Sequence, residues 1–129
     1  MTDEANLLMK YRRKLAQEKE RISKEILVLT NEGRQDEANL QKIRLNIIGI
    51  FETVADADMK WAEGRHGERW AFFCKRYASR FHTLTNPWRI RLEQAKLHQD
   101  HEATAVEELK LETAALIERL FLNLEENDD

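Results

Sequence analysis

The chain has 129 residues, 42% of them hydrophobic and 35% charged, with only 4 Gly and 1 Pro. Such poverty in turn formers excludes sheet and barrel folds, which need a special-geometry turn about every 8–12 residues, and favours long helices with charged wet faces. The expectation is an all-α single domain over residues 1–129.

Charge and cysteine content narrow the function classes. The net charge of −3, from 21 basic and 24 acidic residues, offers no overall field for nucleic acid or an anionic membrane. The single Cys, Cys74, excludes a disulfide framework and a Cys-rich zinc site and fits a reducing compartment. Asp3 and Glu4 precede only a short apolar pair, so the start does not read as a signal peptide. The longest uncharged, mostly apolar run, Leu45 to Phe51, is far short of the roughly 20 residues that span a bilayer. A cytoplasmic protein without a membrane partner is expected.

In chain order, Leu8, Leu15, Ile22 and Leu29 recur every seven residues, with Tyr11 and Ile26 beside them, predicting a helix from Asp3 to Asn31. Gly33 then reads as its C-terminal cap. A second helix is predicted from Asp36, an N-cap residue type, through Leu40, Ile47, Val54 and Trp61. Gly49 lies inside it, read as the close approach of a neighbouring helix, with a hinge as the alternative. After Glu63–Gly67, a third helix over Glu68–Thr85 puts Trp70, Phe73, Cys74, Tyr77, Phe81 and Leu84 on one face. Asn86 and Pro87 read as N-cap and first position of a fourth helix reaching about Glu125.

That fourth helix is too long for the third. Three arrangements cover its Leu-rich end: collinear second and third helices, a break at His98–Thr104 giving five helices, or a second copy of the chain. The fold expected is an antiparallel bundle of four or five helices, self-associating as a homodimer. Glu125–Asp129 is expected to be disordered, with 126–129 as a tail.

Charge is strongly segregated. Arg65 to Lys96 holds eight basic and two acidic residues, and Leu97 to Asp129 holds two basic and ten acidic. Arg65, Arg69, Arg76 and Arg80 share one side of the third helix, within about 60° at 100° per residue, beside Trp70 and Phe73. Arg and aromatic side chains together suit an acidic protein partner or single-stranded nucleic acid. The plainer expectation is a solvated stripe, or one paired with the acids of the fourth helix in the same molecule or its mate. These six residues are the partner-binding candidates.

Other chemistry has little support. His98, His101 and Glu102 would share a helical face at metal-ligand spacing, but neither the zinc-protease nor the di-iron pattern is met, and Glu63 and His66 form an interrupted Glu-x-x-His. No metal or cofactor is assigned. Cys74 belongs to the aromatic face, His82 lies opposite it, and Ser23 and Ser79 sit in no nucleophile elbow. The glycines form no phosphate loop. The aromatic face, with Trp61 and Trp88 near its ends, reads as core rather than a ligand pocket. The expected function is non-enzymatic and works through protein–protein contact, with a nucleic-acid-binding or small-ligand- or metal-binding bundle as the alternative. Nucleic acid is not the expected partner.

Overall fold

The computed structural model describes residues 4–65 and 67–124. Expectations for Asp3, His66 and Glu125–Asp129 lie outside the described residues. The described residues form an all-α bundle of five helices, α1 Glu4–Asn31, α2 Gln35–Glu63, α3 Arg69–Thr83, α4 Asn86–Leu97 and α5 His101–Leu122. None is long and apolar enough to cross a membrane.

α1 ends where the sequence places its glycine. Gly33 has φ +77°, the Gly33 N–H donates to the Thr30 carbonyl at 3.1 Å, and the Arg34 N–H donates to the Leu29 carbonyl at 2.9 Å. This is the paired C-cap that satisfies a helix's last carbonyls. α2 begins at Gln35, with no side-chain cap from Arg34, and Asp36 falls in its first turn rather than at the N-cap. α1 and α2 run antiparallel, laced by Arg12–Asp56 and by Lys19–Glu52 at 2.9 Å.

The predicted fourth helix is two helices. It breaks at His98–Asp100 through the same paired cap as at Gly33: the Gln99 N–H donates to the Lys96 carbonyl at 3.1 Å and the Asp100 N–H to the Ala95 carbonyl at 2.9 Å. Here the left-handed residue is Gln99, at φ +55°. Asp100 caps α5 by accepting from the Ala103 N–H at 3.0 Å. The chain takes the five-helix alternative because a side chain other than Gly can hold the αL position when the next residue caps a new helix.

α3 and α4 form an interrupted rod. Leu84 and Thr85 keep right-handed helical angles, and Pro87 stands in the first turn of α4, where its missing N–H costs nothing. The Thr85 hydroxyl donates to the Phe81 carbonyl at 2.6 Å, occupying a carbonyl at the junction. α3 runs antiparallel to α2, facing Phe51 with Phe81 and Asp58 with Arg76, while α4 packs on α5. Residues 69–97 match the 29-residue α2 in length. α5 returns parallel to α2 and buries Leu109, Ala114, Ile117 and Phe121 within the same chain. The length mismatch that called for a second copy therefore does not arise.

Gly49 is not a close-contact point, because a Cβ there would meet nothing within 4 Å. It is a helix-interior glycine facing open space.

One aromatic node joins α1, α2, α3 and α5. Tyr77 is fully buried, edge-on to Tyr11, Phe51, Phe81 and Phe121 and stacked on Phe73, with ring centroids 5.1–6.5 Å apart. Such pairs add about 0.5–1.5 kcal/mol each beyond area burial. Both buried hydroxyls have partners. The Tyr77 hydroxyl donates to the Phe51 carbonyl at 3.2 Å, so it accepts from Tyr11, whose oxygen is 2.6 Å away. Burial, then the neighbouring Tyr77, pushes the Tyr11 phenol well above its ordinary range. Burial also raises Tyr77, against the opposing effect of the hydrogen bond with Tyr11.

Two predictions follow from these backbone and core features. Gln99→Gly should raise stability by about 1 kcal/mol, Gly33→Ala should lower it by about the same, and Gly49→Ala should raise it by up to about 1 kcal/mol. Urea unfolding reads all three, and a reversed sign at any position refutes the account of that position. The raised phenols protonate more tightly in the folded than in the unfolded state. Their contribution is therefore complete below about pH 10 and is lost as pH rises, at about 1.4 kcal/mol per pH unit for each tyrosine. Tyr11→Phe should be less stable than the parent at pH 8, and its deficit should shrink between about pH 10 and 11.5. A constant deficit would contradict the buried-phenol assignment.

Candidate functional site

The segregated charges are built on the α2–α3 hairpin. Asp58, one α-helical turn before Ala62, is only 1% exposed, and its carboxylate is the anchor of the arginine stripe. It accepts from Arg76 Nε at 3.1 Å, Arg80 Nε at 3.0 Å and an Arg80 terminal nitrogen at 2.7 Å. The Arg76 and Arg80 side chains remain 41% and 31% exposed, so water screens part of the attraction. The hydrogen bond to Asp58 holds the Arg80 guanidinium above its ordinary range. The acid that meets the stripe thus comes from α2, not from the acidic last helix. A lone aspartate within an apolar period gives no sequence signal that it will be buried.

Trp61, one α-helical turn before Arg65, extends the site. The Arg65 and Arg76 guanidiniums each lie 4.4 Å from the Trp61 ring centroid, and the Phe72 ring stands edge-on to it at 6.2 Å. Cation–π contact of this kind contributes about 0.5–2 kcal/mol. Gly67, at φ +103°, turns the chain between the two helices directly beside Phe72. Arg69 is exposed and makes no hydrogen bond or ion pair among the described residues.

The six candidates therefore separate. Arg76 and Arg80 grip Asp58, Arg65 covers Trp61, and Arg69 points to solvent. Phe73 is fully buried in the aromatic node, and Trp70 is half-buried with its ring 5.2 Å from Phe73. Phe72 is absent from the sequence-predicted candidates, and Trp61 is predicted there as an apolar position of the second helix and an end of the aromatic face; the structure makes it the seat of two guanidiniums. Phe72 sits one position off the apolar stripe, which is the signal that it faces outward.

The His98, His101 and Glu102 trio is divided by the helix break, with His98 on the C-cap of α4 and the other two starting α5. His98 Nδ1 donates to the Gln94 carbonyl at 2.8 Å. Among the described residues no three His, Cys, Asp or Glu side chains converge as a metal site requires. Cys74 is half-buried against the core, and His82 is exposed. Among the described residues, two buried polar atoms, Arg44 Nε and Glu107 Oε1, have no hydrogen-bond partner.

No protein-family model matches the chain, and no curated protein or solved structure is detectably similar to it.

Asp58 and its arginines make an asymmetric prediction. Removing the carboxylate by Asp58→Ala frees two guanidiniums that are already half in water. Removing both guanidiniums strands a buried charge. The double variant Arg76→Ala/Arg80→Ala should therefore cost more than Asp58→Ala, by about 1–3 kcal/mol in urea unfolding. Equal costs would show that Asp58 is not held by these two arginines.

Proposed function

We propose that the protein is a non-enzymatic helical interaction protein that presents the arginine- and aromatic-rich end of α2 and α3 to a protein partner and also self-associates. The observation that carries this reading is the surface made by Trp61, Arg65 and Arg76, with exposed Phe72 and Arg69, which has no ion pair among the described residues, at its edge. Trp and Arg concentrate binding energy at protein interfaces, and side chains held in place before binding lose less freedom on association. Asp58 supplies that pre-ordering for Arg76 and Arg80.

Nucleic acid fits this surface less well. Phosphate binding draws on unneutralised positive charge, and two of the four arginines already share a buried carboxylate. A reducing, cytoplasmic setting belongs to the proposal and is supported by the lone Cys74.

Arg69→Glu and Phe72→Ser test the reading at exposed positions: helicity should be unchanged in both, the thermal midpoint unchanged in Arg69→Glu and slightly lower in Phe72→Ser, which loses its edge-on contact with Trp61. A partner that co-purifies stoichiometrically with the parent should bind each variant about tenfold or more weakly. Equal capture by parent and variants would remove this surface from the proposal. An electrophoretic shift of single-stranded DNA at about 10 μM protein, lost in Arg69→Glu, would replace the protein partner with nucleic acid.

A further inference from the structure

Two carboxylates are buried among the described residues, and they are not alike. Asp58 uses both oxygens, which together accept three hydrogen bonds from Arg76 and Arg80. Glu107, on α5, is 7% exposed and uses one: Oε2 lies 3.2 Å from Lys110 Nζ, and Oε1 has no partner among the described residues. A carboxylate has room for about four donors, and a buried oxygen left without one keeps its desolvation penalty.

Glu107 lines a depression of about 340 Å³ between α4 and α5. Arg91, Gln94 and His98 line it from α4, and Asp100 and Ala103 from the start of α5. Its polar groups are mostly acceptors. Asp100 Oδ1 accepts the Ala103 N–H, and the other Asp100 oxygen makes no hydrogen bond among the described residues. His98 Nδ1 donates to the Gln94 carbonyl, which makes its Nε2 an acceptor. A metal does not fit these groups, because no three His, Cys, Asp or Glu side chains converge among the described residues.

We infer that this depression binds a primary alkylammonium group, with Glu107 Oε1 as its buried acceptor and Asp100 as the second negative charge. The site goes beyond the arginine surface of α2 and α3 and shares no residue with it. An ammonium carries three N–H donors around one compact charge, which suits acceptors set on both sides of a groove. Charge on both partners makes such bonds about twice as strong as neutral ones. The χ3 torsion of a glutamate is broad, so the carboxylate turns toward the groove without moving α5. Ala95 and Ala103 leave small apolar surface for the alkyl stem. Arg91 is the one lysine or arginine of the lining, and it is exposed whereas Glu107 is buried. Water therefore screens the repulsion more than the attraction.

Calorimetric titration with spermidine and with Nα-acetyl-lysine amide tests the site. Tetramethylammonium, which has no N–H, is the control at equal ionic strength. The parent should bind at least one probe saturably at one site, with Kd at or below about 1 mM. Glu107→Gln should weaken that binding about tenfold or more. Asp100→Asn should weaken it about threefold or more, with helicity by circular dichroism unchanged because Asn still caps α5. Arg91→Gln should bind at least as tightly as the parent. Spermidine at least about tenfold tighter than the lysine amide identifies the ligand as a free polyamine, and any other ratio identifies it as a lysine side chain of a protein partner. No saturable binding of either probe up to about 10 mM would overturn the assignment. Equal binding of tetramethylammonium, unchanged affinity in either acid variant, or lost affinity in Arg91→Gln would each overturn it as well. Should Glu107→Gln lose helicity, Asp100→Asn still decides. None of these readouts involves Arg69 or Phe72, so the partner surface of α2 and α3 stands or falls separately.

Discussion

The bundle depends on one buried constraint, the requirement that the Tyr77 hydroxyl be satisfied in an apolar core. Its oxygen reaches the Phe51 carbonyl on α2 and the Tyr11 hydroxyl on α1, so a side chain of α3 ties three helices with directional bonds. Aromatic burial alone would tolerate sliding of one helix past another. Two hydrogen bonds of 2.6 and 3.2 Å fix the register instead, because leaving a buried hydroxyl unmade costs about 1–3 kcal/mol. Phe121 of α5 then packs edge-on against both tyrosines, which sets where the last helix must end.

That placement explains why the chain breaks at Gln99. α5 has to deliver Phe121 to the node beside the start of α1, where Lys10 Nζ also donates to the Leu124 carbonyl at 3.0 Å. A continuous helix from Asn86 would carry those residues away from the node. The chain accepts αL strain at one non-glycine residue and recovers a capped helix start at Asp100 together with the burial of Ile117 and Phe121. Burying each such side chain stabilises by about 1.5–3 kcal/mol, more than the roughly 1–2 kcal/mol of left-handed strain.

The arginine stripe has two roles by position. Near the aromatic node, Arg76 and Arg80 serve the fold by neutralising Asp58. At the hairpin tip, Arg65, Arg69 and Phe72 remain available around Trp61. Within one stripe, charge is therefore matched inside the molecule at Arg76 and Arg80 and left to solvent at Arg69, which has no ion pair among the described residues. The near-neutral total conceals that division.

Much of the architecture was legible in the residues. Sevenfold spacing of Leu15, Ile22 and Leu29 identified the buried side of α1, Gly33 identified its end, and Phe73, Tyr77 and Phe81 identified the buried face of α3. These are local signals, since periodicity and backbone freedom act within a turn or two of the chain. The break at Gln99 was legible only as one of three alternatives, because a polar stretch permits a turn without requiring it. Gly49 and Asp58 were beyond reach for the same reason: whether a helix position faces space, a core or a guanidinium depends on what packs against it. Composition and periodicity by themselves determined the helices and their apolar stripes. Only the tertiary structure decided which stripes meet, because burial is a property of pairs of surfaces that lie far apart in the chain.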